Sequence, residues 1–270
     1  MDYAFLESLT TTDWVLLYIS GLIVGFAKTG VAGIGILAVP IFASIFPPVL
    51  SAGILLPILC FADVLAVSYY RRHADWKKIL PLMPWVACGL ITATLINYFG
   101  RQEGTVIKTI IDNYMGRVIG IIVLVVLFLS IWRERHDEIP EGKAVAVGTG
   151  FSAGLTTMLA NAAGPIMNIY LLVMKLPKEV FIGTAAWFFL IINFVKLPLM
   201  VIGPNSITKA SLQMGAMIIP SVIVGVILGI KIVKIIPEQK FKRAVQVLVF
   251  LACIKLIFPK IFASLSNLFS

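Results

Sequence analysis

Apolar runs of roughly membrane-spanning length recur at about Leu50 to Tyr70, Ile79 to Phe99, Val118 to Trp132, Val180 to Val201, Ala210 to Ile230 and Ala244 to Phe258. About 20 apolar residues in a helix cross a hydrocarbon core about 30 Å thick. Two further apolar stretches are broken by small and polar residues: Gly25-Phe-Ala-Lys-Thr-Gly-Val-Ala-Gly-Ile-Gly35 and Gly154-Leu-Thr-Thr-Met-Leu-Ala-Asn-Ala-Ala-Gly164-Pro165. Paired, interrupted hydrophobic segments at matching points of two halves point to a transporter substrate site near the bilayer midplane.

The breaks belong to an internal repeat. Gly25 aligns with Gly154, Gly35 with Gly164, Pro48 with Pro177, Gly53 with Gly183, Asp63 with Asn193, Pro84 with Pro220, Gly89 with Gly225 and Arg117 with Arg243. Residues 1–135 form the first membrane repeat, 136–143 a charged cytoplasmic linker and 144–270 the second, all within one integral membrane domain. The arms before the breaks, about Trp14 to Ala27 and Ala144 to Met158, make only about 21 Å of helix. The arms after them, about Ala32 to Phe46 and Ala162 to Lys175, are as short and end at Pro47, Pro48 and Pro177. The pattern predicts an all-α polytopic protein, an inverted repeat in which each half is a re-entrant or broken helical hairpin plus three transmembrane helices. Fully crossing arms would give five spans per half and the same inversion.

Composition sharpens this picture. The 270 residues are 60% hydrophobic and only 13% charged, with a mean hydropathy of +1.01, against about a quarter charged in a soluble domain. The net charge of +9 is topogenic in distribution and calls for no nucleic acid. Arg71, Arg72, Lys77, Lys78, Arg133, Arg135, Lys143, Lys175, Lys178, Lys231, Lys234, Lys240, Lys242 and Arg243, fourteen of the 22 basic residues, fall on one side. Arg101, Lys108, Arg117, Lys209, Lys255 and Lys260 fall on the other, and Lys28 and Lys196 within the membrane. By the positive-inside rule the first side is cytoplasmic and the N-terminus periplasmic. Met1 to Thr12 has no basic residue, unlike the n-region of a secretory signal. Cys60, Cys88 and Cys253 stand singly in different spans and read as small core residues.

The candidate chemistry sits at the breaks. Lys28 marks the first, followed by Thr29, Gly30, Gly33 and Gly35, where small residues let a ligand approach the backbone. Helices starting near Ala32 and near Asn161 or Ala162 would aim their partially positive N-termini at mid-membrane, so with the ammonium they make an anion site between the two tips. The alternative pairs Lys28 with Asp63 and leaves the glycines to close helix packing. Thr156, Thr157, Asn161 and Gly164 occupy the second break, where Asn161 is also a good N-cap for the helix that follows. Asn193 and Lys196 share a helical face, and Asp63 holds the Asn193-equivalent position. Asp63 is therefore a candidate coupling group that takes up and releases a proton, or half of a fixed ion pair. Pro57, Pro84 and Pro198 read as kinks within spans. No HExxH, GxSxG, Walker loop or acidic dyad occurs, and His73 and His136 lie in charged loops, so neither an enzyme nor a cofactor or metal is expected.

The stretch Gly25 to Pro40, the stretch Gly150 to Leu172, and the continuation Lys175-Leu-Pro-Lys-Glu-Val-Phe-Ile-Gly-Thr-Ala-Ala-Trp187 with Asn193 and Lys196-Leu-Pro198 resemble the TauE/SafE sulfite-exporter family. In many members the first break is a denser glycine cluster, which Ala32, Ile34 and Ile36 interrupt here. The resemblance implies a bacterial inner-membrane transporter that exports sulfite or small organosulfonates such as sulfoacetate. It places the family's tip lysine and glycines on Lys28, Gly30, Gly33 and Gly35, and the second tip on Asn161, Gly164 and Pro165. A passive anion channel is the alternative within transport. An intramembrane lipid-phosphate enzyme using Arg71, Arg72, His73, Lys77 and Lys78 is the alternative outside it. The partners expected are a small anion, the bilayer and, as one candidate, a second copy of the chain in a homodimer.

Overall fold

The computed structural model describes residues 9–30, 34–46, 48–100, 142–161, 163–202 and 207–258, with Ile121, Leu124 and Phe128 besides. Ala32 and Gly33 of the first break, the span expected at Val118 to Trp132 apart from those three residues, Arg133, Glu134 and Arg135, residues 136–141 of the linker with His136, and the basic residues Arg101, Lys108, Arg117 and Lys260 lie outside the described residues. So does the side chain of Cys253.

Regular structure among the described residues is entirely helical. α1 runs Thr11–Thr29, a 3-10 turn Ile34–Leu37, α2 Ala38–Ile45, α3 Pro48–Tyr70, α4 Trp76–Ile79 and α5 Met83–Gly100. The second half contributes α6 Lys143–Ala160, α7 Ala163–Val173, α8 Lys178–Ile202, α9 Lys209–Ile235 and α10 Glu238–Ile257. Three of these, α3, α8 and α9, are long and apolar enough to cross a membrane. Pro57, Pro198 and Pro220 stand inside them. Pro84, expected within a span, instead occupies the first turn of α5, where its missing N–H has no intrahelical partner to lose.

The arms before the breaks are longer than their apolar cores. α1 has 19 residues and α6 has 18, about 27 to 28 Å of helix. The reason for α1 is local. Thr10 Oγ1 accepts the Asp13 N–H at 3.2 Å while the Asp13 carboxylate accepts the Thr10 N–H at 2.9 Å, a capping box that starts the helix three residues ahead of Trp14. The Thr10 hydroxyl, which donates to the same carboxylate at 2.7 Å, and then the Thr10 N–H hold the Asp13 carboxyl below the usual carboxylate range.

Two compact units form: Met1–Pro81 with Leu176–Phe241, and Leu82–Lys175 with Lys242–Ser270. Each draws on both sequence halves. In the first unit α1 packs along α9, and α3 lies against α8 and α9. A Cβ on Gly25 would collide with the Val222 carbonyl, and one on Gly225 with the Leu22 carbonyl. The two backbones therefore touch, as small residues spaced four apart allow in membrane helices. A core of Leu17, Val24, Phe42, Ile54, Ile58, Ile218 and Val222 fills the space beside this seam.

The second unit has the same seam. α5 packs along α6; a Cβ on Gly154 would collide with the Val86 carbonyl, and one on Gly89 with the Phe151 carbonyl. Val222 and Val86 each stand three residues before the seam glycine of their own helix, and so do Leu22 and Phe151. The two seams thus use the same packing register.

Within the first unit α3 and α8 run antiparallel: Asp63 meets Asn193, Val67 packs with Ala186, and Tyr70 lies beside Gly183. Basic residues gather where α3 ends, α8 begins and α9 ends. Arg71, Arg72 and His73 follow α3. Lys178 Nζ donates to the Val233 and Ile236 carbonyls at 2.8 and 3.0 Å, Lys234 lies over the Tyr69 ring, and His73 Nε2 is 3.3 Å from a Glu179 carboxylate oxygen.

Candidate functional site

Four polar side chains from three helices of the first unit meet in an otherwise apolar interior. Lys28, in the last turn of α1, places Nζ 2.7 Å from Asp63 Oδ1 on α3. Asn193 on α8 donates from Nδ2 to the other oxygen, Oδ2, at 2.7 Å. Lys196, one turn further along α8, has its side chain fully buried. The Lys28 ammonium also rides 4.3 Å from the centroid of the Phe189 ring, a cation–π contact that offsets part of its desolvation. Oδ2 is thus hydrogen-bonded, while Oδ1 faces the ammonium as an ion-pair partner without a hydrogen bond of its own. Such charge-assisted bonds are the strong ones, and leaving either partner alone in a low dielectric is expensive.

The accessibility of these groups differs. Asp63, Asn193 and Lys196 are buried, whereas the Lys28 side chain keeps 13% of its surface exposed. Asp63 lies seven residues before the end of α3, about 10 Å of helix inside it. The end of α1 sits nearer the Tyr70 end: the Tyr70 hydroxyl donates to the Thr29 carbonyl at 3.0 Å, one of the orphan acceptors of a helix C-terminus. The lysine reaches back from the break along α1, as helical side chains lean toward the N-terminus.

Thr29, Gly30 and Gly35 of the first break make packing contacts. Thr29 is buried, and its hydroxyl donates to the Val226 carbonyl at 2.9 Å, with the Gly25 carbonyl at 3.1 Å. A Cβ on Gly30 would lie 2.9 Å from the Gly229 Cα, so this glycine permits close approach of α1 and α9. Gly35 falls in the 3-10 turn, where a Cβ would stand 3.1 Å from that of Ala27. Gly33 lies outside the described residues. The regular helix after the break starts at Ala38.

In the second unit the break falls at Asn161, but with the opposite role from the expected N-cap. Asn161 closes α6 in the left-handed conformation, φ 49° and ψ 32°, which asparagine tolerates better than other non-glycine residues. Its N–H donates to the Thr157 carbonyl at 3.0 Å. The Thr156 hydroxyl donates to the Ser152 carbonyl at 2.8 Å, and Thr157 is buried. Gly164 faces open space where a Cβ would stand.

Tyr70 and Phe189 were not singled out from sequence, and Cys60 only as a small core residue. Phe189, Asn193 and Lys196 follow i, i+4, i+7 spacing, and Cys60, Asp63 and Tyr70 follow i, i+3, i+10, so a single-face reading of each span would have found them. Among the described residues no group of three or more His, Cys, Asp or Glu is placed to hold a metal ion.

A model of the sulfite exporter TauE/SafE family matches residues 17–256, which takes in both breaks and every residue of the Lys28, Asp63, Asn193 and Lys196 cluster. No curated protein and no solved structure matches the chain. With nearly its whole length matched, the chain belongs to the sulfite exporter TauE/SafE family of membrane transporters.

Proposed function

We propose that the chain is a secondary exporter of small sulfur-containing anions, sulfite or organosulfonates such as sulfoacetate, and that it binds them at Lys28. The observation that carries this is the uneven burial of one charged cluster: Lys28 alone keeps contact with the surface. The Asp63 carboxylate holds the ammonium as an internal anion. An incoming oxyanion competes for the same ammonium, while Asn193 keeps its bond to the second Asp63 oxygen. Exchange of one anionic partner for another changes what holds the end of α1 to α3 and α8, and this makes Asp63 the coupling residue. A compact, singly charged oxyanion suits a site built around one ammonium.

The orientation proposed with this function is that of an inverted repeat in a bacterial inner membrane, N-terminus periplasmic. Its support is the gathering of Arg71, Arg72, Lys178 and Lys234 at one end of the first unit, as expected for a cytoplasmic face. The hydrogen bond between Asp63 and Asn193, equivalent positions of the repeat, gives further support.

Thermal stability of the detergent-purified protein against sulfite, sulfoacetate, taurine, sulfate, phosphate and acetate tests the site. A ligand at about 100 times its Kd stabilises the native state by roughly 2.7 kcal/mol. Sulfite and sulfoacetate are expected to raise Tm in the wild type and to do nothing in Lys28→Ala. Equal stabilisation of the two proteins contradicts binding at Lys28.

A further inference from the structure

The outward face of α9 ends in two lysines. Ile223, Val224, Ile227, Lys231 and Lys234 are all exposed, and their spacing puts them on one side of the helix. From Ala210 to Ile230 the helix carries no charge. This stretch makes about 31 Å of helix, close to the thickness of a hydrocarbon core. Lys231 and Lys234 therefore stand at the level of the lipid headgroups, at the end of an apolar strip. A lone snorkelling lysine suits any lipid, but this pair has particular surroundings. The Lys234 ammonium lies 5.6 Å from the centroid of the exposed Tyr69 ring near the end of α3, and the exposed Arg71 and Arg72 follow that helix. The carboxylates at these helix ends are engaged elsewhere: Glu179 faces His73, and Asp75 accepts the Lys77 N–H at 3.0 Å. The last carbonyls of α9 carry partial negative charge, which would repel a phosphate. The Lys178 ammonium covers two of them, those of Val233 and Ile236.

We propose that an anionic phospholipid docks on this face of α9, its phosphate held by Lys231 and Lys234 and its acyl chains lying along Ile223, Val224 and Ile227. No residue of the Lys28 cluster takes part. A lipid phosphodiester carries one negative charge. In a zwitterionic lipid the choline or ethanolamine cancels it, and beside Lys231, Lys234, Arg71 and Arg72 that positive group is repelled. The face therefore selects a headgroup with net negative charge, as basic clusters at the ends of membrane helices do. An acidic peptide or a free phosphate would match the lysines and leave the apolar strip unused. A lipid matches both.

Native mass spectrometry of the full-length, detergent-purified protein, titrated with dioleoyl phosphatidylglycerol or dioleoyl phosphatidylcholine, tests this. The wild type is expected to bind phosphatidylglycerol about thirtyfold more tightly than phosphatidylcholine, a factor of about five for each lysine. The Lys231→Gln, Lys234→Gln double variant should bind the two lipids almost equally, with its affinity for phosphatidylcholine unchanged. Should the double variant not fold, Lys234→Gln alone is expected to lose a factor of about five. Lys77→Gln removes the same charge from an exposed lysine on α4, away from the strip, and should keep most of the preference. Glycerol 1-phosphate and inorganic phosphate in excess should leave the lipid bound. Equal affinities for the two lipids in the wild type, a preference kept by the Lys231 and Lys234 variants, or the same loss in Lys77→Gln overturns the proposal. Displacement by inorganic phosphate overturns it too, and assigns the lysines to a soluble anion.

Discussion

The two units share a scaffold and differ in chemistry. In each, a pair of helices is seamed by glycines in one register, Gly25 with Gly225 in the first and Gly154 with Gly89 in the second. At the breaks that terminate α1 and α6 the likeness stops. The first carries Lys28 paired with Asp63, while the second carries Thr156, Thr157 and a left-handed Asn161. The buried charged side chains among the described residues, Asp63 and Lys196, both lie in the first unit. Backbone contact demands glycine at both seams, because any side chain there collides with a carbonyl. At the breaks only a helix end is required, so their residues can differ. The function proposed here sits where the two units differ.

Substitutions can break this comparison, and the largest effect is expected at Asp63. Asp63→Ala leaves Lys28 and Asn193 without their shared acceptor, and removing one partner of a buried pair costs about 3 to 5 kcal/mol. Lys28→Met with Asp63→Ala should recover much of that loss, since it removes both charges; thermal melts of the wild type, Asp63→Ala, Lys28→Met and the double variant complete one double-mutant cycle and give the coupling.

Next in size are the seams. Gly25→Ala and Gly154→Ala each force a Cβ into a carbonyl of the neighbouring helix, and overpacking of this kind costs about 1 to 3 kcal/mol. Similar losses of Tm in the two variants sustain the shared register, whereas tolerance of one and not the other refutes it. A smaller effect is expected at the second break: Asn161→Ala should cost about 1 kcal/mol because alanine lacks the short polar side chain that eases the left-handed conformation in asparagine. The smallest belongs to the α1 cap. Thr10→Ala should lower Tm by roughly 2 °C. Asp13 is depressed by its Thr10 bonds, so its contribution is present above the unfolded carboxyl pKa and lost as pH falls through the folded one. Melts over the acidic range should therefore show the wild type and Thr10→Ala converging at low pH.

Much of this was legible in the sequence. Apolar runs gave α3, α8 and α9 to within a few residues, since hydrophobic length is a local property. The positions of both breaks followed from glycine, threonine and asparagine interrupting apolar runs. The direction of the Asn161 cap was not legible: the same residue suits the start of one helix and the left-handed end of another, and the choice depends on where the preceding helix runs out of packing partners. The extent of α1 was underread because Thr10 and Asp13 are polar yet helix-initiating. Asp63 as the partner of Lys28 was one of two options, and only the antiparallel packing of α3 on α8 brings Asp63, Asn193 and Lys196 to one level. That α1 pairs with α9 and α5 with α6 was likewise not readable, because glycine seams record that a backbone is approached and not by which helix.

The central claim is that the Lys28 ammonium, and not merely the integrity of its ion pair, binds the transported anion. Equilibrium binding of labelled sulfite to the purified wild type and to the Lys28→Met, Asp63→Asn double variant tests it most directly, because the double variant strands neither charge of the pair and binding does not require coupling. A folded double variant that binds no sulfite is the predicted result. Binding at the wild-type affinity would contradict the account and reduce the Lys28 and Asp63 pair to a structural clamp.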